Sequence, residues 1–190
     1  MQPIAFPKMV YTDSAGWPDI MRVHPSLGKM FSFYVVPMSL LAAVMMYYAA
    51  LTYSAEILPH LTRQDLQFIA AIFFLAEIGA VLMIALLIQR LGEVVEIRPS
   101  YQDAFILAAI APTPLWLATL FFFIPSVGLN LAIGALAMMA AGGLIYNGVR
   151  PVFQLDDDGK SLLLAGSIFA AGLVAWVVLM VLTLLVWGYR

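Results

Sequence analysis

Cysteine is absent from this 190-residue chain, and charge is scarce. Without a thiol there is no disulfide, no thiolate metal site and no cysteine nucleophile. Charged side chains make up 11% of residues and hydrophobic ones 64%, against roughly a quarter and roughly a half in globular domains. A chain so composed lacks the polar surface that water requires. Its net charge of −2 leaves no basic footprint for a nucleic-acid partner. The only histidines are His24 and His60, and the topology derived below puts them on opposite membrane faces, which excludes a shared metal site. There is no phosphate-cradling glycine loop, no Ser–His–acid arrangement and no paired-histidine motif. "LDDDG" at 155–159 is acidic, but calcium loops take ligands from alternate positions, not from three consecutive aspartates. It reads as a solvated turn. Neither catalysis nor a cofactor is expected.

Long apolar runs are what the chain does have. Five of them, at 31–53, 66–89, 104–124, 128–149 and 161–189, reach the roughly 20 residues a helix needs to cross a bilayer. No stretch alternates as a barrel strand would. Backbone groups in lipid must pair internally, so the expected fold is an all-α integral membrane bundle of five transmembrane helices. The first run starts too far along, and runs too long, for a cleaved signal peptide. Residues 1–30 are therefore expected to form a polar segment ahead of a membrane domain at 31–190. Within that segment "WPDIMRV" is either a brief interfacial turn, with Trp17, Ile20 and Met21 against lipid, or part of a loosely ordered tail.

Five crossings put the termini on opposite sides. One side then carries Lys8, Arg22, Lys29, Arg90, Arg98, Arg150 and Lys160, and the other Arg63 and Arg190. Basic residues accumulate on the cytoplasmic face, so the N-terminus is expected inside and the C-terminus outside. Ser100, with Asp103 three residues on, suits the cap of the third helix, and Asp158, Gly159 and Ser161 suit the start of the fifth.

Three intramembrane features stand out. Glu77 is the one charged residue in "AIFFLAEIGAVLMIALLI", ten residues after Gln67 and twelve before Gln89. With no cation at its depth, it is expected to face the bundle interior and, as a carboxylic acid, to clasp the third helix; the alternative, a proton-binding site, calls for water access and a second polar shell that the sequence does not display. There Pro112 and Pro114 withhold N–H groups, freeing the carbonyls of Ala108 and Ile110; those carbonyls and the Thr113 hydroxyl are the expected partners. The prolines make a structural kink, or else a hinge lining a cavity. Finally, Ser167, Ala171 and Ala175, with Gly166 and Ala170 beside them, and Gly134, Ala137 and Ala141 on the fourth helix, have the four-residue spacing that lets helices approach closely.

The order of "YVVP" in the first helix, "YQDAFILAAIAPTPLWLATL" across the third, "GLIYNGV" ending the fourth and the tail "LLVWGYR" resembles the Yip-domain (Ypt-interacting-protein) family in its short bacterial inner-membrane form. The likeness runs from about residue 30 to 190. It implies five membrane helices with a cytosolic N-terminus, in agreement with the charge count. Eukaryotic members of that family serve vesicle traffic with prenylated Rab-type GTPases and carry a longer cytosolic N-terminal region; this sequence shows none, so Rab binding is not carried over. The resemblance supplies no catalytic residues.

The reading that follows is a non-enzymatic scaffold or binding partner for other membrane components, with the lipid bilayer as its first partner and membrane proteins as further ones. The alternative is a small transporter or channel using Glu77 and the proline-broken third helix, which would call for more convergent polar groups than the sequence displays. The topology has a direct check. Single cysteines placed at Ser100 and Ser126 are expected to react with an impermeant thiol reagent only at the Ser126 site in intact cells; labelling of the Ser100 site from outside would invert the orientation.

Overall fold

The computed structural model describes residues 6–14, 16–53 and 61–188, so His60 and Arg190 lie outside the described residues. Among those described, the regular structure is helical, and five helices are long and apolar enough to cross a membrane: Leu27–Tyr53, Arg63–Val94, Tyr101–Phe123, Val127–Phe153 and Asp158–Val186. The expected all-α five-helix architecture is what the chain adopts. In chain order the segments are α1 (Phe6–Met9), α2 (Trp17–Val23), α3 (Leu27–Met30), α4 (Val36–Tyr53), α5 (Arg63–Val94), α6 (Tyr101–Ile110), α7 (Thr113–Ala118), α8 (Val127–Phe153) and α9 (Asp158–Gly188). A π-helical turn, Phe31–Val35, joins α3 to α4, and a 3-10 turn, Thr119–Phe123, follows α7.

The helices outrun the apolar stretches because their ends are built from polar caps. Thr62 and Asp65 form a reciprocal capping box ahead of α5. Ser100 accepts from the Asp103 amide at 3.0 Å, as its spacing implied. The cap of the fifth span falls one residue earlier than expected. Asp157, not Asp158, accepts from the Lys160 amide at 3.0 Å, and Asp158 instead pairs with Arg150 at 2.9 Å. Neighbouring aspartates thus serve different partners. The amides of Lys160 and Gly159 hold the Asp157 carboxyl below the usual aspartate range, as a helix N-terminus does to an anion.

One helix organises the rest. Every residue of α6 from Ala104 to Ile110 is buried, the signature of a helix enclosed on all sides. Half of the third span's most apolar stretch is buried, against 6% for the fifth. The third span is therefore central and the fifth peripheral. α5 packs against α4, α6 and α9, and α8 against α6, α7 and α9.

The N-terminal segment corrects its expectation. "WPDIMRV" forms α2, but Trp17 does not touch lipid: it is wholly buried, seated on α8. Gly148 makes the seat, because a Cβ there would lie 2.6 Å from Trp17 Cζ2 and 2.8 Å from Leu107 Cδ1. One turn earlier, Gly143 leaves space for the Val10 carbonyl, which accepts from Asn147 Nδ2 at 2.8 Å. Ile20 and Met21 pack against the same core, and Arg22 pairs with Asp19 at 3.7 Å.

These contacts gather three segments at one end of the bundle. His24 bonds Asp103 at 2.8 Å, Gln102 donates to the Pro25 carbonyl at 3.0 Å, and Lys160 donates to Glu96 at 2.7 Å. The last bond, aided by the Lys160 charge, holds the Glu96 carboxyl below the ordinary glutamate range. A depressed carboxyl favours the fold above its unfolded value, and that tie fades as pH falls through the folded one. The segment before the first span, the loop before the third and the loop before the fifth therefore share one face.

Gly148→Val tests the seat. The added branches collide with Trp17, and overpacking of this kind costs about 1–3 kcal/mol. A lowered midpoint of thermal unfolding in detergent, with redder tryptophan emission, is the expected outcome; an unchanged midpoint would show that α2 is not docked.

Candidate intramembrane polar site

Two helix irregularities face each other inside the bundle, and proline causes both. Pro37 lacks an N–H and its ring crowds the carbonyl of Phe33. The helix widens just ahead of it into the π turn Phe31–Val35, where the Val36 amide reaches back to the Phe31 carbonyl. π turns interrupt α-helices at few places, often at functional sites. Opposite, the third span breaks between α6 and α7 at Ala111 and Pro112. Tyr34, from the π turn, and Thr113, from the break, meet at 2.6 Å between hydroxyl oxygens.

The proton order in this pair follows by elimination. Pro114 withholds the amide that the Ile110 carbonyl would take in a regular helix, and Thr113 Oγ1 donates to that carbonyl at 2.6 Å instead. A hydroxyl has one hydrogen to give, so Tyr34 must donate to Thr113. The kink is closed from within by Thr113 and braced from the first span by Tyr34.

Glu77 occupies the interior stripe of α5. Leu66, Ile69, Phe73, Val81, Ala85 and Ile88 on that helix are buried, and Glu77 fills the place four residues from both Phe73 and Val81. Of its expected partners, the Ile110 carbonyl accepts from Thr113 and Thr113 meets Tyr34; the third-span side chain that bears on the Glu77 carboxyl is Trp116. Trp116 is buried and meets the Tyr34 ring edge-on, with centroids 6.5 Å apart and planes at 68°. Glu77 Oε2 and, on α4, Ser39 Oγ are buried with no hydrogen-bond partner.

Sequence reasoning found Glu77, Pro112, Thr113 and Pro114 but missed Tyr34, Ser39 and Trp116. The available signal was "YVVP": a residue with a polar tip three places before a proline inside an apolar run. Of the small-residue stripes, Ala137 and Ala141 are buried on α8. On α9, Ser167, Ala171 and Ala175 are half-buried, and the buried line runs beside them through Leu164, Ala165, Ile168 and Leu179.

A family model described as Yip1 domain matches residues 8–179. The chain is 32% identical over 92 residues to inner membrane protein YohC of Escherichia coli strain K12, and equally to that of strain O6:H1. The match covers 48% of this chain and 47% of each relative, so the chain spans about half the length of the curated relatives it matches. No solved structure matches.

Hydrogen bonds between membrane helices average roughly 0.6 kcal/mol and reach about 1.7. Thr113→Val removes both the Tyr34 contact and the donor to the Ile110 carbonyl, so it should exceed Tyr34→Phe in cost and approach the upper figure. Unfolding in mixed micelles checks the order; a larger loss from Tyr34→Phe would refute the assigned proton direction.

Proposed function

The chain belongs to the Yip1 domain family, and from that premise we propose that it is a non-enzymatic inner-membrane protein that binds or organises other membrane components. The relatives' printed names supply the membrane. The basic-residue bias supplies the orientation, with the N-terminal segment and the loops before the third and fifth spans in the cytoplasm.

The observation that carries this reading is the outer face of α9. Gly166 and Ala170 form a small-xxx-small pair on it, both exposed, and a Cβ added at Gly166 meets nothing within 4 Å. Val174 and Val178, at 63% and 50% exposure, continue along that side. Paired small residues let another helix come close in lipid, where dispersion and lipid entropy drive association. The half-buried Ser167, Ala171 and Ala175 flank this face and contribute to the same close approach. The N-terminal segment, fixed on α8, closes the cytoplasmic end of the unit.

A photo-reactive amino acid at Val174, activated in native membranes, is expected to give a discrete adduct with a second membrane protein, identified by mass spectrometry. Gly166→Leu should abolish that adduct without lowering the thermal midpoint. Adducts with lipid alone would overturn the reading.

A further inference from the structure

At the end of the bundle that carries the N-terminal segment, most cations are paired. Arg22 meets Asp19, Arg90 meets Glu93, Arg150 meets Asp158 and Lys160 meets Glu96. Among the described residues, Lys8, Lys29 and Arg98 are left at that end without an acidic partner. Arg98 lines a recess of about 160 Å³. The loop before the third span gives this recess Arg98, Ser100 and Asp103, and the end of α8 gives it Val152, Phe153 and Gln154. Its one carboxylate is already committed. Asp103 Oδ1 meets His24 at 2.8 Å, and Oδ2 accepts from Ser100 Oγ at 2.6 Å. The Arg98 guanidinium and the Gln154 amide have no side-chain partner among the described residues, so both are free donors. Gln154 holds a left-handed backbone, φ 54° and ψ 45°, where α8 ends. Glycine usually takes that position, yet here the chain keeps an amide side chain at the recess.

We propose that this recess binds the phosphate of an anionic phospholipid, with the Arg98 guanidinium and the Gln154 amide as its donors. A guanidinium presents its N–H groups as a planar fork that matches phosphate oxygens, which an ammonium cannot do. Basic recesses between membrane helices, on the side where Lys and Arg accumulate, suit lipid headgroups. The place in the fold selects a lipid over free phosphate. Arg98 stands three residues ahead of Tyr101, where the third span begins, and Gln154 directly follows Phe153, where the fourth ends. The recess therefore opens at the level where two spans meet the headgroups. Val152 and Phe153 give it an apolar wall, against which the glycerol end of a lipid can lie and a small inorganic ion gains nothing. No residue of α9 lines the recess, so lipid binding here does not depend on association through the outer face of that helix.

Native mass spectrometry of the full chain in detergent, titrated with phosphatidylglycerol or phosphatidylcholine, provides the test. The first phosphatidylglycerol is expected to bind more tightly than phosphatidylcholine. Arg98→Gln should weaken that first binding by about tenfold or more, the size expected when a charge-assisted hydrogen bond is lost. Lys8→Gln and Lys29→Gln remove the same charge from the same end but not from the recess, and should leave it nearly unchanged. Gln154→Gly separates binding from folding: it suits the left-handed backbone, so the thermal midpoint should hold or rise while phosphatidylglycerol binding falls. Equal loss in the Arg98 and lysine variants would reduce the site to a diffuse basic edge and overturn the proposal, as would unchanged binding in Arg98→Gln. Displacement of the lipid by inorganic phosphate at matching concentration would overturn the assignment to a lipid. Should Arg98→Gln not fold, the unsubstituted protein decides: preference for phosphatidylglycerol over phosphatidylcholine at the first lipid bound supports the site, and equal binding of the two refutes it.

Discussion

A carbonyl in hydrocarbon has no water to bond, and among the prolines of this bundle Pro37, Pro112 and Pro114 each withdraw, deep in a span, a donor that a carbonyl would use. Most of the interior architecture answers that constraint. Pro37 turns the first span through a π-helical widening. Pro112 and Pro114 split the third into α6 and α7. The Thr113 hydroxyl fills the gap left at the Ile110 carbonyl, and Tyr34, displaced inward by the π turn, stabilises Thr113 in turn. The two distortions are complementary. Each presents a hydroxyl where the other needs one, and the aromatic pair of Tyr34 and Trp116 is set by the same meeting.

Enclosure of α6 on every side gives this arrangement its rigidity. Its seven consecutive buried residues, Ala104–Ile110, are apolar throughout, so the centre of the bundle is held by close packing rather than by polar bonds. The membrane edge is different. At one end His24, Asp103, Glu96, Lys160, Arg150 and Asp158 tie three chain segments together, with Trp17 driven into the glycine seat on α8. Ion pairs so exposed contribute little energy; the buried indole and the Asn147 bond to Val10 hold the segment. The described residues ahead of the first span are part of the folded body.

Against that body the fifth span is set apart. It meets α5 and α8 on one side, and its outer side carries an exposed pair of small residues and a run of exposed valines and leucines. The family relation places the chain among membrane proteins without assigning it a chemistry. Glu77 lies on the inner stripe of α5 and the exposed face of α9 looks outward, on two helices that pack directly against each other.

How much of this was legible beforehand follows from range. Span number, helical fold and the membrane setting are properties of composition over windows of about 20 residues, and caps such as Ser100 depend on neighbours three residues away; the sequence carries both in full. It also exposed Glu77, Pro112, Thr113 and Pro114, because an acid or a proline in a greasy run is visible without knowing its surroundings. The partners were not visible. Trp116 reads as one more apolar residue until α7 is set against the first span, where its ring meets Tyr34, and Tyr34 reads as a membrane aromatic until the π turn brings it to Thr113. Trp17 looked like a lipid anchor, and only the glycines of α8, more than a hundred positions away, made it a core residue. On α9 the four-residue spacing named several small residues equally well, because helical periodicity marks a face without saying what covers it. Local chemistry fixed which residues were unusual; packing between distant segments decided what each one touches.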